Sequence, residues 1–357
     1  MTDGLGLALA LARIARGWTA PNPAVGAVLV HGDRVVGRGF TQPVGEHHAE
    51  VMALRDALDR GETVRGATLY VTLEPCCHHG RTPPCTEAIL AAGIARVVVG
   101  AVDPFPPMQG KSIALLRAAG VVVDLADDPA CRRQIRGFAR AIAHGLPEVT
   151  AKAGISLDGK IATASGESRW VTSADSRRDA HALRLAHDAI LVGVETILAD
   201  DPLLTTRLDG APRPVSHPRP VVLDSDLRTP ERARIFSHPV RPLFVCAEDA
   251  PARELPADIV RVPRRDAEAA LRAVALAGHH RVLVEGGGVV HRALLDRQLV
   301  DELVLYVAPT WLPGGRSWVG GAPLDSLELA SRGEIVGTER CGPDVRLTIA
   351  LRHCTEG

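Results

Sequence analysis

Aromatic side chains are scarce in this chain of 357 residues: five Phe, four Trp and two Tyr make up 3% of it. Its cores must be built from Val, Leu, Ile and Ala instead. Neither sign of charge is in surplus, since 41 Lys and Arg face 42 Asp and Glu for a net of −1. The basic residues are also scattered, which argues against a broad nucleic-acid or membrane surface. Cysteines number seven, an odd count without a regular framework, and suit a reducing compartment. No apolar run is long enough to span a bilayer. Residues 1–17, MTDGLGLALALARIARG, carry Asp3 where a signal peptide wants basic charge, and Arg13 and Arg16 interrupt the apolar stretch. The Leu and Ala spacing there predicts an amphipathic helix, and a soluble cytoplasmic protein is expected.

What is present is an ordinary globular mixture, 46% hydrophobic and 23% charged, in a chain whose length suits two domains. Short β-rich runs alternate with helical ones throughout, the mark of α/β layering. In the first half, strands are expected at 25–30, 34–40, 67–75, 95–104 and 121–125. Helices are expected near 49–60, 86–93 and 111–119, and a helical run at 131–145 ends on Gly145 and Pro147. The second half restarts with a strand and hairpin over 149–162, turning at Asp158-Gly159. Strands follow at 189–194, 219–225, 242–247, 258–263, 281–286, 301–309 and 344–352. The domains are drawn at 1–146 and 147–357.

The densest chemistry lies at EPCCHHGRTPPC (74–85), with HAE (48–50) upstream. His48, Cys76 and Cys85 offer N, S and S, a donor set that suits Zn²⁺ over harder cations. A closed structural site would need a fourth protein ligand, and Cys77, His78 and His79 are each available. Glu50 points the other way. It sits two residues from His48 at the expected start of a helix, placed to work on a water rather than to ligate. Three protein ligands leave one position open, and zinc brings the pKa of bound water to about 7. A neighbouring carboxylate can take that proton and return it to a leaving nitrogen. Cys85, at a helix N-terminus, has its thiolate favoured by unpaired N–H groups.

HAE followed by PC-x8-C is a lengthened form of the zinc deaminase pattern H-x-E…P-C-x-x-C. Together, APNPAVGAV (20–28), GEHHAE (45–50) and TLEPCCHHGRTPPC (72–85) resemble the deaminase domain of the bifunctional deaminase–reductases of riboflavin biosynthesis. The second half resembles the reductase domain of the same family through KAGISLDGKIATASGESRWVTS (152–173), ADDPLLTTR (199–207), VLDS (222–225) and VEGGG (284–288). The resemblance implies an N-terminal cytidine-deaminase-like three-layer α/β/α domain and a C-terminal dihydrofolate-reductase-like α/β domain. It implies Zn²⁺ and NADPH as cofactors and a phosphorylated diaminopyrimidine as substrate. That substrate, 2,5-diamino-6-ribosylamino-4(3H)-pyrimidinone 5′-phosphate, would be deaminated and its ribosyl chain then reduced to ribityl. No nucleic-acid or membrane partner is expected, and a homo-oligomer is.

Roles follow position by position from that resemblance. Asn22 would touch the pyrimidine, and Arg81 is the candidate for the ribose phosphate in the first domain, because a planar cation suits that anion. In the second, Gly154, Trp170, Thr196, Asp200, Ser225, Gly287, Gly288 and Val289 would meet the cofactor, with Ser225 near the adenosine 2′-phosphate. EGGGVVHRALL runs from strand to helix, so its N–H groups can meet a phosphate, although G-x-G-x-x-G spacing is absent. Ser168, Arg184, Leu204, Arg207 and Glu285 would meet the substrate, the two arginines at its phosphate. Lys152 and Asp200 are the candidate proton donors for the heteroatom beside the carbon that receives hydride. One departure stands out. The family's usual Asp-Pro-Asn-Pro is DPFP here, with Phe105 for Asn. That leaves the metal and Glu50 untouched and bears on which substrate the first domain holds. The alternatives are a deaminase of another nucleobase or nucleotide fused to a repurposed reductase, and a zinc-stabilised nucleotide-binding module.

Overall fold

A computed structural model describes residues 3–80, 82–208, 215–322 and 325–351. The chain divides into two compact units, Met1–Gly145 and Leu146–Gly357.

The first unit runs α1 (Gly4–Ala15), β1 (Gly26–His31), β2 (Arg34–Phe40), α2 (Ala49–Asp59), β3 (Thr68–Val71), α3 (Cys85–Ala91), β4 (Arg96–Val99), α4 (Lys111–Ala118), β5 (Val122–Leu125), α5 (Pro129–Gln134) and α6 (Arg136–His144). Its sheet has the order β2-β1-β3-β4-β5. The β1–β2 and β1–β3 pairs are antiparallel, and β3–β4–β5 are parallel. Period-2 alternation sorts β1 between two faces. Ala27 and Leu29 join Ala49, Ala53 and Ala57 of α2 in the main core. Val28 and Val30 pack on the opposite side with Ala8 of α1. Helices thus cover both faces, giving three layers. Gly39 makes the α2 side possible: a Cβ there would collide with backbone atoms of Ala49, Met52 and Ala53. This close seating of α2 on β2 fixes where the first residues of α2 emerge.

The second unit contains β6 (Glu148–Ser156), β7 (Lys160–Ala162), α7 (Ala174–Leu185), β8 (Ala189–Gly193), α8 (Val194–Asp200), β9 (Arg219–Leu223), β10 (Leu243–Ala247), β11 (Asp258–Val262), α9 (Ala267–Leu276), β12 (Arg281–Val284), α10 (Gly288–Leu295), β13 (Glu302–Ala308), β14 (Arg316–Ser317), β15 (Gly333–Cys341) and β16 (Asp344–Leu351). Nine strands form one sheet in the order β11-β10-β9-β8-β12-β6-β13-β16-β15. The ladders are parallel from β11 to β13 and antiparallel from β13 through β16 to β15. Alternating residues of β8 serve two cores. Ala189 and Leu191 face α9 and α10, whereas Ile190 and Val192 face Ile197 of α8 and the segment around Ile235.

Two expectations change here. The hairpin over 149–162 is not a ladder: β6 pairs with β12 and β13, and β7 leaves the sheet to pair with β14. Burial on both faces makes β6 a central strand. Strand β15, absent from the expected set, is exposed along nearly its whole length. It carries no alternating apolar face and is held by its ladder to β16.

Candidate active sites

In the first unit, three elements meet at one point. His48 is the N-cap residue of α2, with extended backbone, and Glu50 lies in the first helical turn, only 3% exposed. Cys76 follows β3 in a loop, and Cys85 opens α3. Nδ1 of His48 is 3.5 Å from Cys76 Sγ and 3.4 Å from Cys85 Sγ, and the Cys85 N–H donates to Cys76 Sγ at 3.3 Å. All three donor atoms lie within 4.8 Å of one another. A tetrahedral site with Zn–N of about 2.05 Å and Zn–S of about 2.3 Å has an N···S edge of about 3.6 Å. The donor set and its spacing fit zinc.

The thiols and the acid are electrostatically coupled. Hydrogen bonding from Cys85 and His48 lowers Cys76 to about 4 despite burial, and the same contact raises its partner Cys85. Burial raises Glu50 to about 7, the Cys76 charge adding and His48 opposing, while its carboxyl meets the Cys85 thiol. Among the described residues, the ligand group contains no fourth donor. Cys77 stays outside it, and His79 Nε2 turns to Glu87 Oε1 at 3.1 Å. Asn22 sits half-buried in the turn closed by its N–H to Thr19 C=O at 2.8 Å. Arg81 lies outside the described residues.

Glu74, two residues before Cys76, was not singled out by the sequence. It is 4% exposed and its two oxygens accept four donors: the N–H groups of Asp103 (3.1 Å) and Gly110 (2.9 Å), and the N–H (3.1 Å) and hydroxyl (2.8 Å) of Ser112. This ties segment 103–112, which carries Phe105, to the strand leading into the cysteine loop. Asp103 is close enough to Cys76 and His78 to feel their charges, though burial is what chiefly raises its pKa. Phe105 itself is 41% exposed.

In the second unit, a cleft of about 970 Å³ opens at the carboxyl ends of the parallel strands, where open α/β sheets bind ligands. Lys152 and Gly154 of β6, Thr196 and Asp200 of α8, Ser168, Ser225, Glu285, Gly287, Gly288 and Val289 all line it. Ser225 is presented by a turn that Asp224 organises, accepting from the N–H groups of Arg228 and Thr229 at 2.9 and 2.8 Å. Gly287 caps α10, so the strand-to-helix turn offers free N–H groups to the cleft.

Four candidates lie outside that lining. Trp170 is no core residue: it is 67% exposed, with the Arg177 guanidinium 4.2 Å from its ring centre. Arg184, on α7, is only 14% exposed and holds Glu285 in a two-pronged pair, both contacts 2.9 Å. Leu204 is buried with a left-handed backbone, and Arg207 stands exposed on the same loop. Lys152 Nζ approaches Glu285 Oε2 at 3.5 Å. Burial alone would raise Glu285, but Arg184 and Lys152 outweigh it and hold the carboxylate far below its ordinary value. His181, also not singled out from sequence, lies three residues before Arg184 on the same helix face. Burial, then Arg184 and Arg207, lowers it to about 4. Its signal was the i, i+3 spacing to Arg184.

Residues 147–347 match the family described as RibD C-terminal domain, and residues 3–101 match the cytidine and deoxycytidylate deaminase zinc-binding region. The riboflavin biosynthesis protein RibD of Escherichia coli is 40% identical over 95% of this chain and 96% of its own length. That of Aquifex aeolicus is 39% identical over 95% of each. Among solved structures, Acinetobacter baumannii RibD (form 1) superposes with a TM-score of 0.88 at 34% identity, covering 98% of both chains. A diaminohydroxyphosphoribosylaminopyrimidine deaminase/5-amino-6-(5-phosphoribosylamino)uracil reductase from Thermotoga maritima gives 0.88 at 32%, covering 98% of this chain and 97% of that one.

Proposed function

This chain belongs to the RibD family of bifunctional deaminase–reductases in riboflavin biosynthesis, and from that premise we propose how its residues divide the work. The first domain, 1–146, takes the phosphorylated diaminopyrimidine and removes its 2-amino group. The second, 147–357, reduces the ribosyl chain of the product. The observation that carries this reading is the pairing of His48, Cys76 and Cys85 with a buried, non-ligating Glu50.

Zinc held by His48, Cys76 and Cys85 supplies, when bound, a Lewis acid that makes a water acidic near neutral pH. Glu50, buried beside the ligands without belonging to their set, receives the proton and delivers it to the departing nitrogen. Asn22 and segment 103–112 flank the ring, and Arg81 serves the phosphate. NADPH, when bound, supplies the hydride in the second domain. Gly287, Gly288 and Val289 hold its phosphates at the start of α10, with Gly154, Trp170, Thr196 and Asp200 along the rest of it. Ser225 meets the 2′-phosphate. Lys152 gives the proton to the heteroatom beside the reduced carbon, and Glu285, 3.5 Å from its Nζ, keeps it aimed. Asp200, which also lines the cleft, is the other candidate proton donor. Ser168, Leu204, Arg184 and Arg207 hold the substrate, the arginines toward its phosphate.

The reading extends to a cytoplasmic homo-oligomer acting on a small molecule; among the described residues no helix is long and apolar enough to cross a membrane. The test is Glu50→Gln with product analysis. Zinc content should remain at one per chain, deamination should fall by several orders of magnitude, and reduction of the deaminated intermediate should continue. Undiminished deamination would overturn the assignment.

A further inference from the structure

Loop 204–208 is held at three successive residues by side chains from elsewhere. The C=O of Thr205 accepts from Arg184 Nη1 at 2.8 Å, the N–H of Thr206 donates to His217 Nδ1 at 3.2 Å, and the N–H of Arg207 donates to His181 Nδ1 at 3.2 Å. An imidazole that accepts at Nδ1 must be neutral and carry its proton on Nε2. Burial lowers both His181 and His217, and for His181 the neighbouring Arg184 and Arg207 push the same way, so both are acceptors at neutral pH. The tautomer has a second consequence. Arg207 Nη2 lies 3.4 Å from His181 Nε2, which already bears a proton, so this contact takes no donor from the guanidinium. Arg207 is therefore fixed through its backbone while its side-chain donors remain available to an anion.

Leu204, buried and with a left-handed backbone unusual for a branched residue, immediately precedes the three tethered residues. We propose that His181 and His217 are positioning residues of the reductase domain, two neutral imidazoles that clamp loop 204–208 so that Arg207 presents its guanidinium to the substrate phosphate. The inference rests on the reading that Arg207 holds that phosphate.

The experiment compares His181→Ala, His181→Asn and Arg207→Ala in the full-length holoenzyme. It measures KM and kcat for 5-amino-6-(5-phosphoribosylamino)uracil together with KM for NADPH. Loss of one tether to a loop amide should raise the substrate KM about five- to tenfold. The kcat and the NADPH KM should stay within twofold. Asparagine, which keeps a neutral acceptor, should restore most of the loss. Adding His181→Ala to Arg207→Ala should cost little more than Arg207→Ala alone, since both act through one group. Should His181→Ala fail to fold, His217→Ala must show the same split. An unchanged substrate KM in His181→Ala, beside a raised one in Arg207→Ala, overturns the clamp and spares the phosphate assignment. Equal losses in the substrate and NADPH KM, without rescue by asparagine, overturn it as well. An unchanged KM in Arg207→Ala removes the phosphate assignment, and the clamp falls with it.

Discussion

Replacing Glu74 by Gln should destabilise the first unit without costing it zinc. The carboxylate has four lone-pair sites, and all four are taken by donors. The amide keeps one oxygen. The favoured orientation leaves that oxygen with the buried N–H and hydroxyl of Ser112, so the NH₂ group faces the N–H groups of Asp103 and Gly110. Two hydrogen bonds to a charged acceptor are lost, at about 1.5–3 kcal/mol each. Because the Asp103 and Gly110 bonds are only part-buried, water can partly replace them, and the loss should sit near the low end, about 3 kcal/mol. For a unit of this size roughly 3 °C accompanies each kcal/mol, so its Tm should fall by about 10 °C. Calorimetry on the full chain reads this directly: the first unit's transition moves with zinc chelation, and the second's with NADPH. Zinc content should be unchanged, since Glu74 touches no ligand atom, while the deaminase KM rises as segment 103–112 loosens. A shift below 3 °C would show that the four contacts are not what holds that segment.

Acid should weaken the second unit. His181, His217, His238, His279 and His291 are all held below their ordinary pKa, burial being the largest cause for each, with His181 and His279 at about 4. Bases depressed in the folded state are protonated more readily in the unfolded chain, so this stability is complete above 6.5 and drains as pH falls from 6.5 toward 4. Asp188, raised to about 6 by burial, works in the opposite direction but is a single group. The second transition should therefore fall in Tm between pH 7.5 and 5, and a flat profile would refute the sign. Glu285→Gln leaves the buried Arg184 without its counter-charge, at about 3–5 kcal/mol. The second transition should drop and reduction should cease while deamination continues; an unchanged second Tm would refute the pairing. Gly288→Ala places a Cβ 2.8 Å from Gly320 N and Ser317 O, so the turn must shift. NADPH affinity, read by fluorescence titration, should fall at least tenfold, and wild-type affinity would count against this turn as the phosphate seat. Ser225→Ala should raise the KM for NADPH several-fold and leave that for NADH alone; equal effects on both would remove Ser225 from the 2′-phosphate.

The metal-ligand group of the first unit could be read before folding was known. His48, Glu50, Cys76 and Cys85 are legible because metal-ligand types at short spacing are rare by chance, and because Pro and Gly around them fix where the flanking helices begin. Period-2 runs likewise announced most strands, since a strand buried on one or both faces must show it in its residues. Strand β15 did not, because an exposed strand held by ladder bonds leaves no apolar signature. No hairpin ladder forms over 149–162 for a related reason: a turn signal at Asp158-Gly159 is local, whereas the partners of β6 come from strands more than a hundred residues away. Shorter separations, 11 to 38 residues, were enough to hide the remaining site residues. Glu74 matters through amides at 103–112, and His181 and His217 through amides at 206 and 207. An acceptor waiting for backbone N–H groups has no characteristic spacing, and only folding brings the two together.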